Sequence, residues 1–141
     1  MNSKAPSALT RLFFPALYSE IEEDRSRMDR QSVLHAYVKK MIDVGPPLAI
    51  VLFGSQARGE ATEDSDFDFC IIERDAAMQA DPKGRRMVYW RALRPRTVPV
   101  DVVVYAQSEF IGNYGEGWSV VRDIVGEGVW LYGSPRSAGL N

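Results

Sequence analysis

Two short apolar runs, residues 48–53 and 67–72, flank a polar segment that opens on Gly54-Ser55, and this arrangement constrains the fold more than any other feature of the chain. The stretch Ala49-Ile50-Val51-Leu52-Phe53 is β-branched and aromatic. Pro46-Pro47 precedes it and Gly54 follows it. That composition and length suit a strand buried on both faces better than a helix. Gly54 ends the strand and lets the backbone come close to a ligand. Ser55 offers a hydroxyl where a helical turn or two, over 56–59, is expected to start. Free N–H groups and the positive end of a helix dipole would then face one point. In Asp66-Phe67-Asp68-Phe69 the side chains of a strand alternate, so Asp66 and Asp68 share one face and Phe67 and Phe69 the other. Two carboxylates that close repel each other. A divalent cation removes the repulsion, and hard carboxylate oxygens suit Mg²⁺.

A third acid lies downstream. Pro99-Val100-Asp101-Val102-Val103-Val104-Tyr105 reads as another strand with one acid in an apolar run. An ionised carboxylate buried alone is costly unless it is paired or binds metal. If this strand lies beside 67–72, Asp101 points at Asp66 and Asp68. Three carboxylates can then hold two ions about 3.5–4 Å apart, the arrangement used for in-line phosphoryl or nucleotidyl transfer.

Gly54-Ser55, ten residues, Asp66-x-Asp68 and then Asp101 on a later strand form a pattern that resembles the minimal nucleotidyltransferase (MNT) family of the DNA polymerase beta-like superfamily. Gly-Ser-Gln-Ala-Arg-Gly followed by Ser-Asp-Phe-Asp is close to the family form, and residues 124–133 resemble its last helix and strand. The resemblance covers roughly residues 30–133. It implies an α/β fold with a small mixed β-sheet flanked by helices. It implies Asp66, Asp68 and Asp101 as catalytic residues and metal ligands for two Mg²⁺ ions. It implies ATP as substrate, with Gly54 and Ser55 holding phosphate. Arg58, beside the phosphate turn, either touches phosphate too or pairs with Glu60 or Asp64 and fixes the loop. The sequence leaves both open.

Size and composition agree with a single globular unit. A chain of 141 residues buries roughly 68% of its unfolded surface. A hydrophobic content of 45% and a charged content of 26% are ordinary for a globular protein. The net charge of −2 gives no global pull toward nucleic acid. No apolar stretch approaches the ~20 residues of a membrane span. No apolar segment of signal-peptide type follows Met1-Asn2-Ser3-Lys4. Cys70 is the sole cysteine and falls in an expected buried strand, so neither a disulfide nor a thiolate metal site is available. A cytoplasmic protein is expected.

The remaining elements are placed coarsely. Residues 7–24 have helical spacing, with Pro15 as a possible break. Residues 31–43 form a second amphipathic helix with Val33, Leu34, Tyr37, Val38, Met41 and Ile42 on one stripe. Helices are also expected over 85–93, 108–114 and 118–125, an edge strand over 129–132 and a frayed tail beyond. The expected division is an N-terminal helical extension over 1–29, a nucleotidyltransferase domain over 30–133 and a flexible tail over 134–141. His35, the only histidine, reads as an ordinary helix residue. Arg85, Arg86, Arg91, Arg94 and Arg96 read as a solvated face or as contacts to triphosphate or an acidic partner. The acidic run at 20–24, followed by Arg25, Arg27 and Arg30, reads as a salt-bridged surface. Leu12, Phe13 and Phe14 either pack on the core or face a partner.

The family-like unit takes up most of the chain, so the acceptor site is expected from a second copy or another protein. The resemblance implies pairing with a HEPN-domain RNase toxin, with the MNT protein acting as antitoxin and moving AMP from ATP to a tyrosine hydroxyl. Two alternatives stand beside it: a homodimeric enzyme acting on a small hydroxyl compound such as an aminoglycoside, and a non-catalytic module that neutralises a toxin by contact.

Overall fold

The absence of glycine and proline between residues 16 and 43 allows one uninterrupted helix, and α1 runs Pro15–Asp43. Two helices, over 7–24 and 31–43, were expected. Pro15 proves to open the helix, where its missing N–H is not needed. Gly45-Pro46-Pro47 follow the helix, and Gly45 N–H closes its end on the Ile42 carbonyl at 3.1 Å. The computed structural model describes residues 15–60, 65–81 and 84–140, with residues 15–28 by backbone alone. Leu12, Phe13, Phe14 and Asp64 lie outside the described residues. The chain falls into two units, Met1–His35 and Ala36–Asn141, with the boundary inside α1. The first unit is helical in its described part.

The second unit is built on a four-stranded sheet. The strands are β1 (Ala49–Phe53), β2 (Phe67–Glu73), β3 (Val100–Ala106) and β4 (Val129–Tyr132). Their order is β3-β2-β1-β4. β1 pairs antiparallel with both β2 and β4, while β2 and β3 are parallel. This is a mixed α/β fold, with β3 and β4 as the two edges. Between β2 and β3 the chain forms α2 (Asp75–Ala80), not foreseen in the sequence, and α3 (Arg85–Ala92). After β3 come α4 (Gln107–Gly115) and α5 (Ser119–Glu127). The crossover through helices is what a parallel pair requires.

The alternation along β2 assigns the two faces. Phe67 and Phe69 are buried and meet the Tyr37 ring edge-on, at centroid distances of 6.0 and 6.4 Å. Tyr37 OH donates to the Val98 carbonyl at 2.7 Å and accepts from Val98 N–H at 3.1 Å, so the buried hydroxyl is satisfied. On the opposite face Ala49, Val51, Cys70 and Ile72 pack with Phe110 of α4 and Val121 and Ile124 of α5. Burial pushes the Cys70 thiol up to about 12, so it is an inert core side chain.

Residues 134–140, expected as a frayed tail, join this second core. Ala138 and Leu140 are buried in it. Ser137 Oγ donates to the Leu48 carbonyl at 3.2 Å and accepts from Ser134 N–H at 2.7 Å. Gly133 makes the return possible. Its φ is +72°, and a Cβ there would stand 2.3 Å from the Leu48 carbonyl oxygen. A compact apolar pair in the tail outweighed the composition signal that suggested fraying.

Candidate functional site: three carboxylates at a glycine turn

β1 leads out of the core into Gly54, whose φ of +76° only glycine adopts without penalty. Residues 54–60 then form a single irregular turn. Arg58 N–H bonds the Gly54 carbonyl at 3.2 Å, Gly59 N–H bonds Gln56 at 3.3 Å and Glu60 N–H bonds Ser55 at 3.0 Å. The Arg58–Gly54 bond closes one helical turn, in keeping with the turn or two expected over 56–59, but no helix continues from it. So few residues cannot repay the cost of helix nucleation. With no helix beyond the turn, no helix dipole points at Ser55, which offers a half-buried hydroxyl. Gln56 Nε2 donates to the Ser65 carbonyl at 3.4 Å and ties the turn to the approach of β2.

Asp66 is exposed just before β2, and Asp68 is half-buried as its second residue. In register, Asp68 stands opposite Phe53 of β1 and Asp101 of β3. Neighbouring strands lie about 4.8 Å apart, so the two carboxylates leave the same face at the same level. The missing side chain of Gly54 leaves room for Asp68: a Cβ there would stand 2.5 Å from Asp68 Oδ2. The fold thus brings Gly54, Asp66, Asp68 and Asp101 to one end of the sheet.

The charges feel one another. Burial raises the Asp68 carboxyl above the usual carboxylate range, Asp101 and Asp66 raise it further, and Arg58 pulls it back. An anion-rich centre of hard oxygen donors fits a divalent cation such as Mg²⁺. Among the described residues no three His, Cys, Asp or Glu side chains already stand as a closed ion site. Asp101 has its Oδ1 3.3 Å from Arg86 Nη2.

Asp101 also corrects an expectation. A lone acid in an apolar strand suggested burial, but its side chain is 57% exposed. β3 is an edge strand, and its second residue lies where the sheet face opens to solvent. Among the described residues the buried acid is Glu73, at the end of β2, which carried no expectation of its own. Its Oε2 accepts from Arg85 Nε at 2.8 Å and also from Arg85 Nη2, and the latter nitrogen lies 3.3 Å from Tyr89 OH. An apolar strand ending in Glu ahead of a helix beginning Arg85-Arg86 was the available signal.

Three of the five clustered arginines therefore have work inside the fold: Arg85 on Glu73, Arg86 on Val102 and Asp101, and Arg96 stacked on Trp90 at 3.5 Å. Arg58 pairs with Glu60 at 3.1 Å and lies 3.8 Å from Glu127, so it braces the turn as one of its two readings held. His35 is an exposed residue of α1.

A strand, a glycine turn and carboxylates at one sheet end define a nucleotidyl-transfer domain. The nucleotidyltransferase domain family matches residues 36–131, and the chain belongs to that family. Its members in general use a nucleoside triphosphate and a divalent metal. A solved structure from Sulfolobus solfataricus, described as a "putative nucleotidyltransferase", shares the fold at a TM-score of 0.54 and 20% identity. The match covers 77% of this chain and 85% of that one. No curated protein is significantly similar in sequence. Among the described residues no helix is long and apolar enough to cross a membrane.

Proposed function

We propose that this chain transfers AMP from ATP to a hydroxyl group of a partner protein, a tyrosine of a HEPN-type RNase toxin, and so acts as its antitoxin. The observation that carries the chemistry is the level placement of Asp68 and Asp101 beside the open Gly54 turn. The acceptor and the antitoxin role come from the MNT-like run Gly54-Ser55…Asp66-x-Asp68.

Asp66, Asp68 and Asp101 would hold Mg²⁺, which when bound supplies charge neutralisation for the triphosphate and the departing pyrophosphate. Gly54 N–H and the Ser55 hydroxyl bind terminal phosphate oxygens. The close approach at Gly54 keeps Asp68 against the turn, so phosphate and carboxylate are positioned by one backbone feature. Asp101, the acid on the edge strand, faces the incoming hydroxyl and takes its proton. The hydroxyl oxygen attacks the α-phosphorus as the bond to the β-phosphate oxygen breaks. Most of the acceleration is positioning and preorganised charge.

The test is incubation of the chain with ATP, Mg²⁺ and a HEPN-type RNase encoded beside it, read by intact-protein mass spectrometry. The expected result is AMP on the partner with wild type and none with Asp66→Asn, which still binds the partner. Neutralisation of the RNase without modification, by wild type and variant alike, would overturn catalysis in favour of contact. Adenylylation of an aminoglycoside with no protein acceptor present would overturn the protein-acceptor reading.

A further inference from the structure

The third carboxylate has a partner that the transfer reaction does not call for. Arg86 lies in the first turn of α3 and makes two bonds to β3. Its Nε donates to the Val102 carbonyl at 2.7 Å and its Nη2 to Asp101 Oδ1 at 3.3 Å. α3 packs on the Phe67 and Phe69 face of the sheet, where Arg85 and Tyr89 meet Glu73. Asp101 is in register with Asp68, on the other face. β3 is the edge of the sheet, so the Arg86 side chain passes round that edge to reach Asp101.

The two bonds differ in kind. The one to Val102 is shorter and runs to fixed backbone, so the guanidinium stays at the edge whatever Asp101 does. The ion pair is exposed on both sides, at 54% and 57%. A pair that exposed is weak enough to break when a stronger cation arrives. A planar guanidinium with several donors serves both acceptors at once, which an ammonium would not.

We propose that Arg86 is the resident counter-charge of Asp101: it holds the carboxylate at the edge strand when no divalent cation is present and competes with the cation for it. The proposal rests on the reading of Asp101 as part of the cation-holding set. Arg86 is then a positioning residue that sets how tightly the free protein takes up the ion, and through β3 it couples that event to α3.

Mn²⁺ titrated into the full chain without nucleotide, with free Mn²⁺ followed by electron paramagnetic resonance, tests this. Arg86→Met keeps the aliphatic stem and removes the charge, and it should tighten Mn²⁺ binding roughly threefold to tenfold. Arg86→Lys retains a charge but cannot serve Val102 and Asp101 at once, so its Mn²⁺ affinity should fall between wild type and Arg86→Met. In an Asp101→Asn background Arg86→Met should change the affinity little, because the competed ligand is gone. Unchanged or weaker Mn²⁺ binding in folded Arg86→Met overturns the proposal. Equal tightening with and without Asp101 also overturns it, since Arg86 would then act only as a diffuse charge. If Arg86→Met loses its circular dichroism signature, Arg86→Gln, which keeps a donor for Val102, is read the same way. Wild type that binds no Mn²⁺ refutes the carboxylate reading itself, a separate result.

Discussion

Replacing Gly54 should separate the stability of the turn from its chemistry. The backbone there sits at φ +76°, where an alanine costs about 1–2 kcal/mol. Part of that is offset by the smaller entropy of the unfolded alanine chain. The net loss for Gly54→Ala is about 1 kcal/mol, which lowers Tm by roughly 3–5 °C in a domain of this size. The steric effect is different. The new Cβ would lie 2.5 Å from Asp68 Oδ2, so the carboxylate must retreat. The clash is with the far end of a flexible side chain and not with backbone, so the fold survives. A displacement on the order of 1 Å at a reacting centre costs about 100-fold in rate. Gly54→Asn makes the distinction sharp, because asparagine tolerates positive φ yet still carries the Cβ. Asparagine should recover most of the stability and little of the activity. Urea melts in the presence of chelator measure the first quantity, and adenylyl transfer under saturating ATP measures the second. Wild-type transfer by either variant, or an unshifted melt for Gly54→Ala, would refute the close approach of turn and carboxylate.

Asp68→Asn should abolish transfer and, in chelator, raise thermal stability at pH 7. Burial holds the folded carboxyl above its unfolded pKa, so the stability associated with neutral Asp68 is complete below about pH 4 and is lost as pH rises through the folded value. The gap between variant and wild type in a pH series of melts should therefore close in acid, and a gap that widens there contradicts the assignment. Ser55→Ala removes one hydroxyl from the turn, and loss of a bond to a charged phosphate is worth about 1.5–3 kcal/mol. Calorimetry should show ATP affinity falling roughly tenfold to a hundredfold and AMP affinity much less; equal losses would place Ser55 away from the terminal phosphates. Glu73→Ala removes the acceptor of the partly buried Arg85 and should cost about 1.5–3 kcal/mol in a chemical denaturation curve. Arg85→Met combined with Glu73→Leu should recover much of that, and failure to recover it would show that the pair is needed for packing rather than for charge balance.

The parts of the site written in short-range pattern were legible in the sequence. The 49–53 run and Gly54, the Asp66-x-Asp68 alternation and the strand around Asp101 each carry their own signal, and the sheet assembles them as expected. What was hidden depended on which element ends up beside which. Asp101 looked buried because its neighbours in sequence are apolar, and only the strand order shows that it sits on an edge. Glu73 looked like an ordinary strand end until α3 brought Arg85 over it. The arginines of α3 offered charge without a geometry, and three of the five in the cluster turn out to serve the fold. α2 is a six-residue helix with no buried side chain, too short to leave a periodicity. The turn at 54–60 has helix-compatible residues but too few of them, a competition between propensity and nucleation that composition does not resolve.

The return of residues 134–140 onto the second core has a practical consequence for anyone shortening or tagging this protein. The family match stops at residue 131, and a chain cut there would look complete by alignment. It would lack Ala138 and Leu140, both buried against the β1 and β2 side chains, and the Ser137 hydroxyl that caps the Leu48 carbonyl. Burying one leucine is worth about 1.5–3 kcal/mol, a large share of what a domain this size holds in reserve. Purification handles at this end need a spacer beyond Leu140, and deletions meant to trim it should leave residues 133–140 in place.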